Sequence, residues 1–497
     1  MVFEIMTWYF TEKEWEGTMN HRSNTLSDDT KTAAGDIFYR QRAACLKRPY
    51  LSLDERLQAL RKLERLLVEN QDRIADALSA DFGHRSRHET KILEIYPTVS
   101  TLRHTRRHLR KWMKVQHRHV AKTFLGARNR VIPQPKGVVG IIAPWNYPLN
   151  LAIGPLTGAL AAGNRCMVKM AANSQRLCVL LHELFSQTFE EDLVAVLPGV
   201  SAGDFTPLPF DHLIFTGSPT SGRTVMKTAA ENLTPVTLEL GGKSPTIVCK
   251  DFDVKKAAER ILYGKFINAG QTCIAPDYLF LPEGLVAGFV EAAKEIMAQR
   301  YGELASTDYT SVVDATSYER LVATREDARA KGATLVNLVS DREAIEGLRK
   351  LPPTIALDMT DDMELMQREI FGPILPVKTY EGIDECIEYI NAHERPLALY
   401  LFTKDRVLQK KVLMHTLSGG VCINDCTMHF AQHDMPFGGV GNSGMGQYHG
   451  YEGFLEFSKL RPVFIQAPLP LGASFLYPPY GKTFERMYTY LIKYRWF

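Results

Sequence analysis

Residues 137–164 read "GVVGIIAPWNYPLNLAIGPLTGALAAGN" and contain no charged side chain. The run is long enough to cross a bilayer, so its reading separates a membrane chain from a globular one. Pro144, Asn146, Pro148, Asn150 and Pro155 lie within it. They would break a spanning helix and leave backbone groups without partners in lipid. A buried strand, a loop and a buried helix are expected instead.

That strand opens a repeating texture. "NRCMVKMA", "LVAVLPG" and "DHLIFTGS" follow as short apolar runs with helical segments between them, which predicts a doubly wound parallel sheet. A second cycle follows: "TPVTLELGG", "SPTIVCK", a helix over 254–266, the loop "NAGQTC", the strand "DYLFLP" and a helix from Gly284 to about Arg300. Two α/β domains are implied. Ahead of both, "SLDERLQALRKLERLLVENQDRIADALSADFG" spaces Ser52 and Glu55 as a capping box, sets Leu53, Leu57, Leu60 and Leu67 on one face, and stops at Gly83. The basic run "RHTRRHLRKWMK" then continues a helix to Lys114 and reads as a solvated face.

Composition excludes several classes. Of 497 residues, 59 are basic and 56 acidic, a net charge of +3 that gives no field for nucleic acid or an anionic membrane. Small molecules or further copies of the chain are the expected partners. Eight cysteines without paired spacing, and a start lacking a cationic and apolar leader pattern, lead to the expectation of a reducing cytoplasm. Residues 1–35 are expected to be an arm. The aromatic and basic tail, residues 466–497, is expected to pack on the body or on a second subunit.

Two segments carry chemistry. In "FTGSPTSGR", residues 215–223, Gly217, Ser218 and Gly222 sit between a strand and a helix, where backbone amides can receive phosphate. In "VTLELGGKSP", Glu239 lies in an apolar strand just before two glycines, where desolvation raises a carboxyl toward the range of a general base. Cys273 stands in "NAGQTCIAPDY" among small and polar neighbours, as a thiol meant to be reached. Together Cys273 and Glu239 make a nucleophile and base.

The chain resembles the aldehyde dehydrogenase superfamily in "APWNYP" (143–148), "FTGS" (215–218), "LELGGKSP" (238–245), "GQTC" (270–273), "EIFGP" (369–373) and "PFGGVGNSGMG" (436–446). "GQTCIAPDY", "GGVCIND", "MHF" and "SGMGQYHG" are similar to its class-three branch, and "DFGHRSRHETKILEIYP" with "RHLRKWM" to the coniferyl aldehyde dehydrogenases. The resemblance implies oxidation of an aldehyde with NAD or NADP. Cys273 would attack the carbonyl, Asn146 and the Cys273 amide would hold the oxyanion, and Glu239 would activate water against the thioester. A thiol pKa of about 8.5 would need little lowering for this. Lys169 and Glu369 would contact the two riboses, Ser218 the pyrophosphate and Phe371 the nicotinamide. Coniferyl or other aromatic aldehydes come first as substrates and medium-chain aliphatic ones second.

The resemblance also implies a cofactor-binding domain over 36–114 and 131–240, and a catalytic domain over 241–418. An extension over 115–130 and 419–465 would serve a homodimer. One departure is plain: "KMAA", residues 169–172, stands where the family commonly has "KPSE". Ala172 removes the carboxylate expected on the adenosine ribose, so NADP should be tolerated. "CINDCTMHFAQH" places Cys422, Cys426, His429 and His433 loosely like metal ligands but lacks a CxxC knuckle, and no metal is expected. Cys166, Cys178, Cys249 and Cys386 are expected in the core. Two rival readings stand: a non-catalytic relative, which would not need Cys273, Glu239 and Asn146 together, and a CoA-acylating enzyme, which would not need Glu239.

Overall fold

A computed structural model describes residues 33–339, 347–468 and 477–493. All but the last three residues of the expected arm, and the end of the tail from 494, lie outside the described residues. The uncharged run folds as strand, loop and helix: Val138–Ala143 and Pro148–Ala162 are almost wholly buried. Among the described residues no helix is long and apolar enough to cross a membrane.

Val138–Ala143 is an inner strand of a six-stranded sheet, ordered Gly444–Met445, Val236–Leu240, His212–Gly217, Val138–Ala143, Arg165–Met170, Val194–Leu197. Five of these run parallel, and Gly444–Met445 joins the edge antiparallel, setting Gly444 opposite Glu239. The inner strands are near-continuous apolar runs because helices cover both faces. A seven-stranded sheet forms the second unit, ordered Thr334–Asn337, Thr354–Leu357, Ile374–Tyr380, Tyr278–Pro282, Pro245–Val248, Ala398–Phe402, Gly420–Ile423. Only its first pair is antiparallel. The fold is thus a mixed α/β arrangement with two wound sheets.

A separate three-stranded antiparallel sheet contains Gln116–Arg118, Arg128–Pro135 and Ser458–Ile465. This differs from the extension expected over 419–465. Gly420–Ile423 closes the edge of the seven-stranded sheet and Gly444–Met445 that of the six-stranded one, so only the end of that segment reaches the extension. Backbone pairing rather than sequence neighbourhood decides the division. The tail helix, Lys482–Lys493, has no buried residue among the described residues.

The helical front end positions the rest. Ser52 and Glu55 form the expected reciprocal cap of Leu53–Glu69, and Gly83 ends the following helix, Gln71–Phe82, at φ +77°. Arg56 leaves the first of these helices to enter the core. Its guanidinium donates to Leu51 O at 2.9 Å, Ala161 O at 3.0 Å and Ala162 O at 2.8 Å. The last two belong to the end of Pro148–Ala162, whose carbonyls have no helical partners. Gly163, at φ +91°, leaves room, since a Cβ there would meet the guanidinium carbon at 2.6 Å. Replacing this buried donor orphans three carbonyls. Arg56→Met should therefore cost about 3 kcal/mol, read as a fall of several degrees in melting temperature, and an unchanged melt would contradict the capping role.

Candidate active site

The helix Val254–Phe266 ends in a loop that turns through three left-handed residues, Asn268 (φ 51°), Ala269 (φ 52°) and Gly270 (φ 75°). Gly270 cannot be replaced without collision, because a Cβ would meet Gly372 O at 2.2 Å. Bonds from every side hold the turn. Asn268 N donates to Glu89 Oε1 at 3.1 Å, and its side-chain amide donates to Asn146 O and Gln271 O, each at 3.1 Å. Gln271 donates from Nε2 to Ser311 O at 3.1 Å and accepts from Val313 N at 2.9 Å. Cys273 emerges two residues later.

The structure brings Cys273 to an apolar pocket of about 290 Å³. Tyr147, Asn150, Leu151, Ile274 and Cys273 lie at its inner end, while Tyr96 and Ile92, both exposed, lie toward its mouth. Burial pushes the Cys273 thiol up to about 12, with the charges of Glu369 and Glu239 adding to it. This corrects the expectation of a thiol needing little lowering: small, polar neighbours in sequence do not make a wet environment once the sheets close over them.

Glu239 ends on the buried side of its strand, 3% exposed, with neither carboxylate oxygen hydrogen-bonded among the described residues. Burial and then Glu456 hold its carboxyl well above the usual range. Asn146, also buried, donates from Nδ2 to Gln271 O at 3.2 Å, which sets its amide beside the turn leading to Cys273.

Glu369 approaches from the other sheet. Burial first, then Asp277, pushes its carboxyl up to about 8, while a backbone hydrogen bond from Gly242 opposes the rise. Gly241 allows this approach, since a Cβ there would meet Glu369 Oε2 at 2.1 Å. Glu369 Oε1 has no hydrogen-bond partner among the described residues. Two residues on, Phe371 adopts φ 49° and sets its ring edge-on to Trp145 at 5.3 Å.

Trp145 lines a second cleft, of about 560 Å³, together with Lys169, Ala172, Gly217 and Ser218. The cleft lies beyond the carboxyl ends of the parallel strands, where open α/β sheets bind their ligands. Ser218 caps the helix Pro219–Glu231 by accepting from Ser221 N. Gly222 does not fit the phosphate reading. Its amide donates to Ser218 O at 2.9 Å, and a Cβ would meet Leu240 at 2.7 Å, so this glycine serves helix-on-sheet packing. Lys169, half-buried, makes no ion pair with any described residue.

A deeper layer went unseen in the sequence. Arg85 and Glu94, both fully buried, form an ion pair at 2.9 Å. Arg85 also donates to Asn146 O at 2.8 Å, and Glu94 accepts from Asn150 N at 2.9 Å. The candidate metal residues separate: His429 Nδ1 lies 3.2 Å from Cys422 Sγ, whereas His433 bonds Ser100 and Thr101. Among the described residues no group of three or more potential ligands forms. Cys166, Cys178, Cys249 and Cys386 are buried as expected.

The aldehyde dehydrogenase family model matches residues 23–463. A probable coniferyl aldehyde dehydrogenase of Pseudomonas aeruginosa is 49% identical over 454 residues, covering 91% of this chain and 94% of the relative. The substrate-bound structure of Staphylococcus aureus AldH superposes with a TM-score of 0.86 at 34% identity, covering 92% of this chain and 99% of that one. The NAD+ complex of an aldehyde dehydrogenase from Bacillus cereus gives 0.78 at 27% identity, with 86% and 88% covered. With these similarities extending across nearly the whole chain, the protein belongs to the aldehyde dehydrogenase family.

Proposed function

We propose that the chain oxidises aromatic aldehydes of the coniferyl type to carboxylic acids, with Cys273 as nucleophile. The observation that carries this reading is the position of Cys273, reached by an apolar pocket while Glu239 and Glu369 act on its thiol. Sγ attacks the carbonyl to give a thiohemiacetal, and the Asn146 amide with the Cys273 N–H stabilises the oxyanion. Loss of hydride leaves a thioester, which water hydrolyses as Glu239 takes the proton. The tyrosine-rich pocket and the coniferyl aldehyde dehydrogenase relative both favour a flat aromatic substrate.

The second cleft fits NAD or NADP. Ser218 at a helix start suits the pyrophosphate, while Lys169 and the unpaired Glu369 Oε1 suit the riboses. Phe371, against Trp145, would bear on the nicotinamide. When bound, the oxidised nicotinamide supplies the hydride acceptor and a positive charge. Ala172 puts no carboxylate at the rim of this cleft, so nothing at that position repels a 2′-phosphate.

Residues 36–114 and 131–240 would then form the cofactor domain and 241–418 the catalytic one. Ser458–Ile465 is an edge strand exposing Leu460, Phe464 and Ile465, which suits pairing with a second copy in a homodimer. A cytoplasmic location agrees with eight free cysteines.

Aldehyde panels assayed with each cofactor test the reading. Coniferyl-type aldehydes should exceed medium-chain aliphatic ones in kcat/KM, and NADP should fall within about tenfold of NAD. Cys273→Ala should retain less than about a thousandth of the activity. A Cys273→Ala chain that still oxidises aldehyde would refute the nucleophile, and an acyl-CoA product appearing only with coenzyme A would refute hydrolysis.

The raised thiol generates a further expectation. Alkylation of Cys273 by iodoacetamide, followed by peptide mass spectrometry, should rise about tenfold per pH unit from pH 7 to 10 in the free protein. Thiolate is the reactive form and stays scarce below a pKa of about 12. A plateau near pH 8 would contradict this.

A further inference from the structure

Tyr448 lies in the segment following Gly444–Met445, the short strand paired beside Glu239. It is 1% exposed. Two backbone bonds fix it, Tyr448 N to Phe437 O at 2.7 Å and Phe437 N to Tyr448 O at 2.8 Å. Its ring stands edge-on to Phe437 and His449, with centroids 5.9 and 4.5 Å away. It also lies against the helix Pro148–Ala162 at Gly154, where a Cβ would be 3.6 Å from Tyr448 Cε2 and 3.7 Å from Asn150 Oδ1. Asn150 in turn lines the Cys273 pocket.

The hydroxyl has no hydrogen-bond partner among the described residues. Other buried tyrosines of this chain do have one: Tyr309 donates to Leu351 O at 2.7 Å, Tyr380 to Val248 O at 2.9 Å, and Tyr400 to Ile274 O. A phenylalanine would serve packing alone at position 448, and leaving a phenol unpartnered there costs stability. Both Glu239 oxygens are orphaned as well. Burial, then the charges of Glu239 and Cys273, hold the phenol proton well above its usual range, so this group feels both residues and remains protonated.

We propose that Tyr448 is a catalytic residue of the hydrolytic half-reaction, its phenol oxygen accepting one hydrogen of the water whose other proton Glu239 takes. This rests on the proposed thioester chemistry and goes beyond it. The water oxygen forms a bond to the thioester carbon and one proton passes to Glu239. The carbon–sulfur bond breaks, and the proton returns to Cys273 Sγ. Thioester and water thus give carboxylic acid and thiol, and Tyr448 neither gains nor loses a proton. Held at two points, the water keeps a lone pair aimed at the carbonyl carbon.

Rapid mixing of Tyr448→Phe with coniferyl aldehyde and NAD tests this. The expected result is a burst of about one reduced cofactor per site, then a steady-state rate at least about tenfold below wild type. Hydroxylamine, which attacks a thioester without a base, should restore turnover and release the hydroxamate. Phe437→Leu disturbs the same ring contact without removing a polar group, and should leave burst and steady state in the wild-type ratio. An unchanged Tyr448→Phe turnover, a burst lost in step with turnover, or a variant that no longer folds would each overturn the proposal. A wild type forming no acyl-enzyme would instead refute the thioester reading itself.

Discussion

The Arg85 guanidinium ties the site together. It is buried between the rings of Phe82 and Tyr147, paired with Glu94 and bonded to the carbonyl of Asn146. Glu94 then receives the amide of Asn150, and the same Asn146 carbonyl receives the side chain of Asn268. One cation therefore joins the helical front end, the loop carrying Asn146 and the turn carrying Cys273. Breaking such a pair from one side would strand a buried charge, which makes the arrangement costly to lose and rigid while it lasts.

Rigidity matters because the groups it surrounds are poorly satisfied. Among the described residues Glu239, Glu369 Oε1 and the Tyr448 hydroxyl are buried without partners, and the fully buried Lys265 reaches only to 3.9 Å from Asp277. Each costs stability in the free chain. Glu239, Glu369 and Tyr448 share the neighbourhood of Cys273, where substrate, water and cofactor would offer the missing bonds. The raised thiol and raised carboxyls follow from the same dryness, and a bound cationic ring would reduce the cost of forming thiolate.

Much of this was legible in the sequence, for definable reasons. Apolar run lengths and glycine boundaries gave the strands around Glu239 and the uncharged run at 137–164, and Ser52 with Glu55 marked a true cap. Local signals failed where tertiary packing overrides them. Arg85 and Glu94 look like ordinary charges on a helical face, but a π-helical turn over Lys91–Ile95 lies where Glu94 turns inward. Gly222 looked like a phosphate glycine, though its amide was already committed to Ser218. Polar neighbours suggested a reachable, nearly normal thiol at Cys273; the pocket does reach it, but the packing around the loop raises the thiol.

The proposed chemistry passes through a covalent acyl-enzyme on Cys273 whose release depends on Glu239. Its most direct test is peptide mass spectrometry of Glu239→Gln, quenched in acid after mixing with coniferyl aldehyde and NAD. The acyl group is expected on the peptide carrying Cys273, at close to one per chain, with little free acid. An unmodified Cys273 alongside ordinary acid formation, or acylation of another residue, would contradict it.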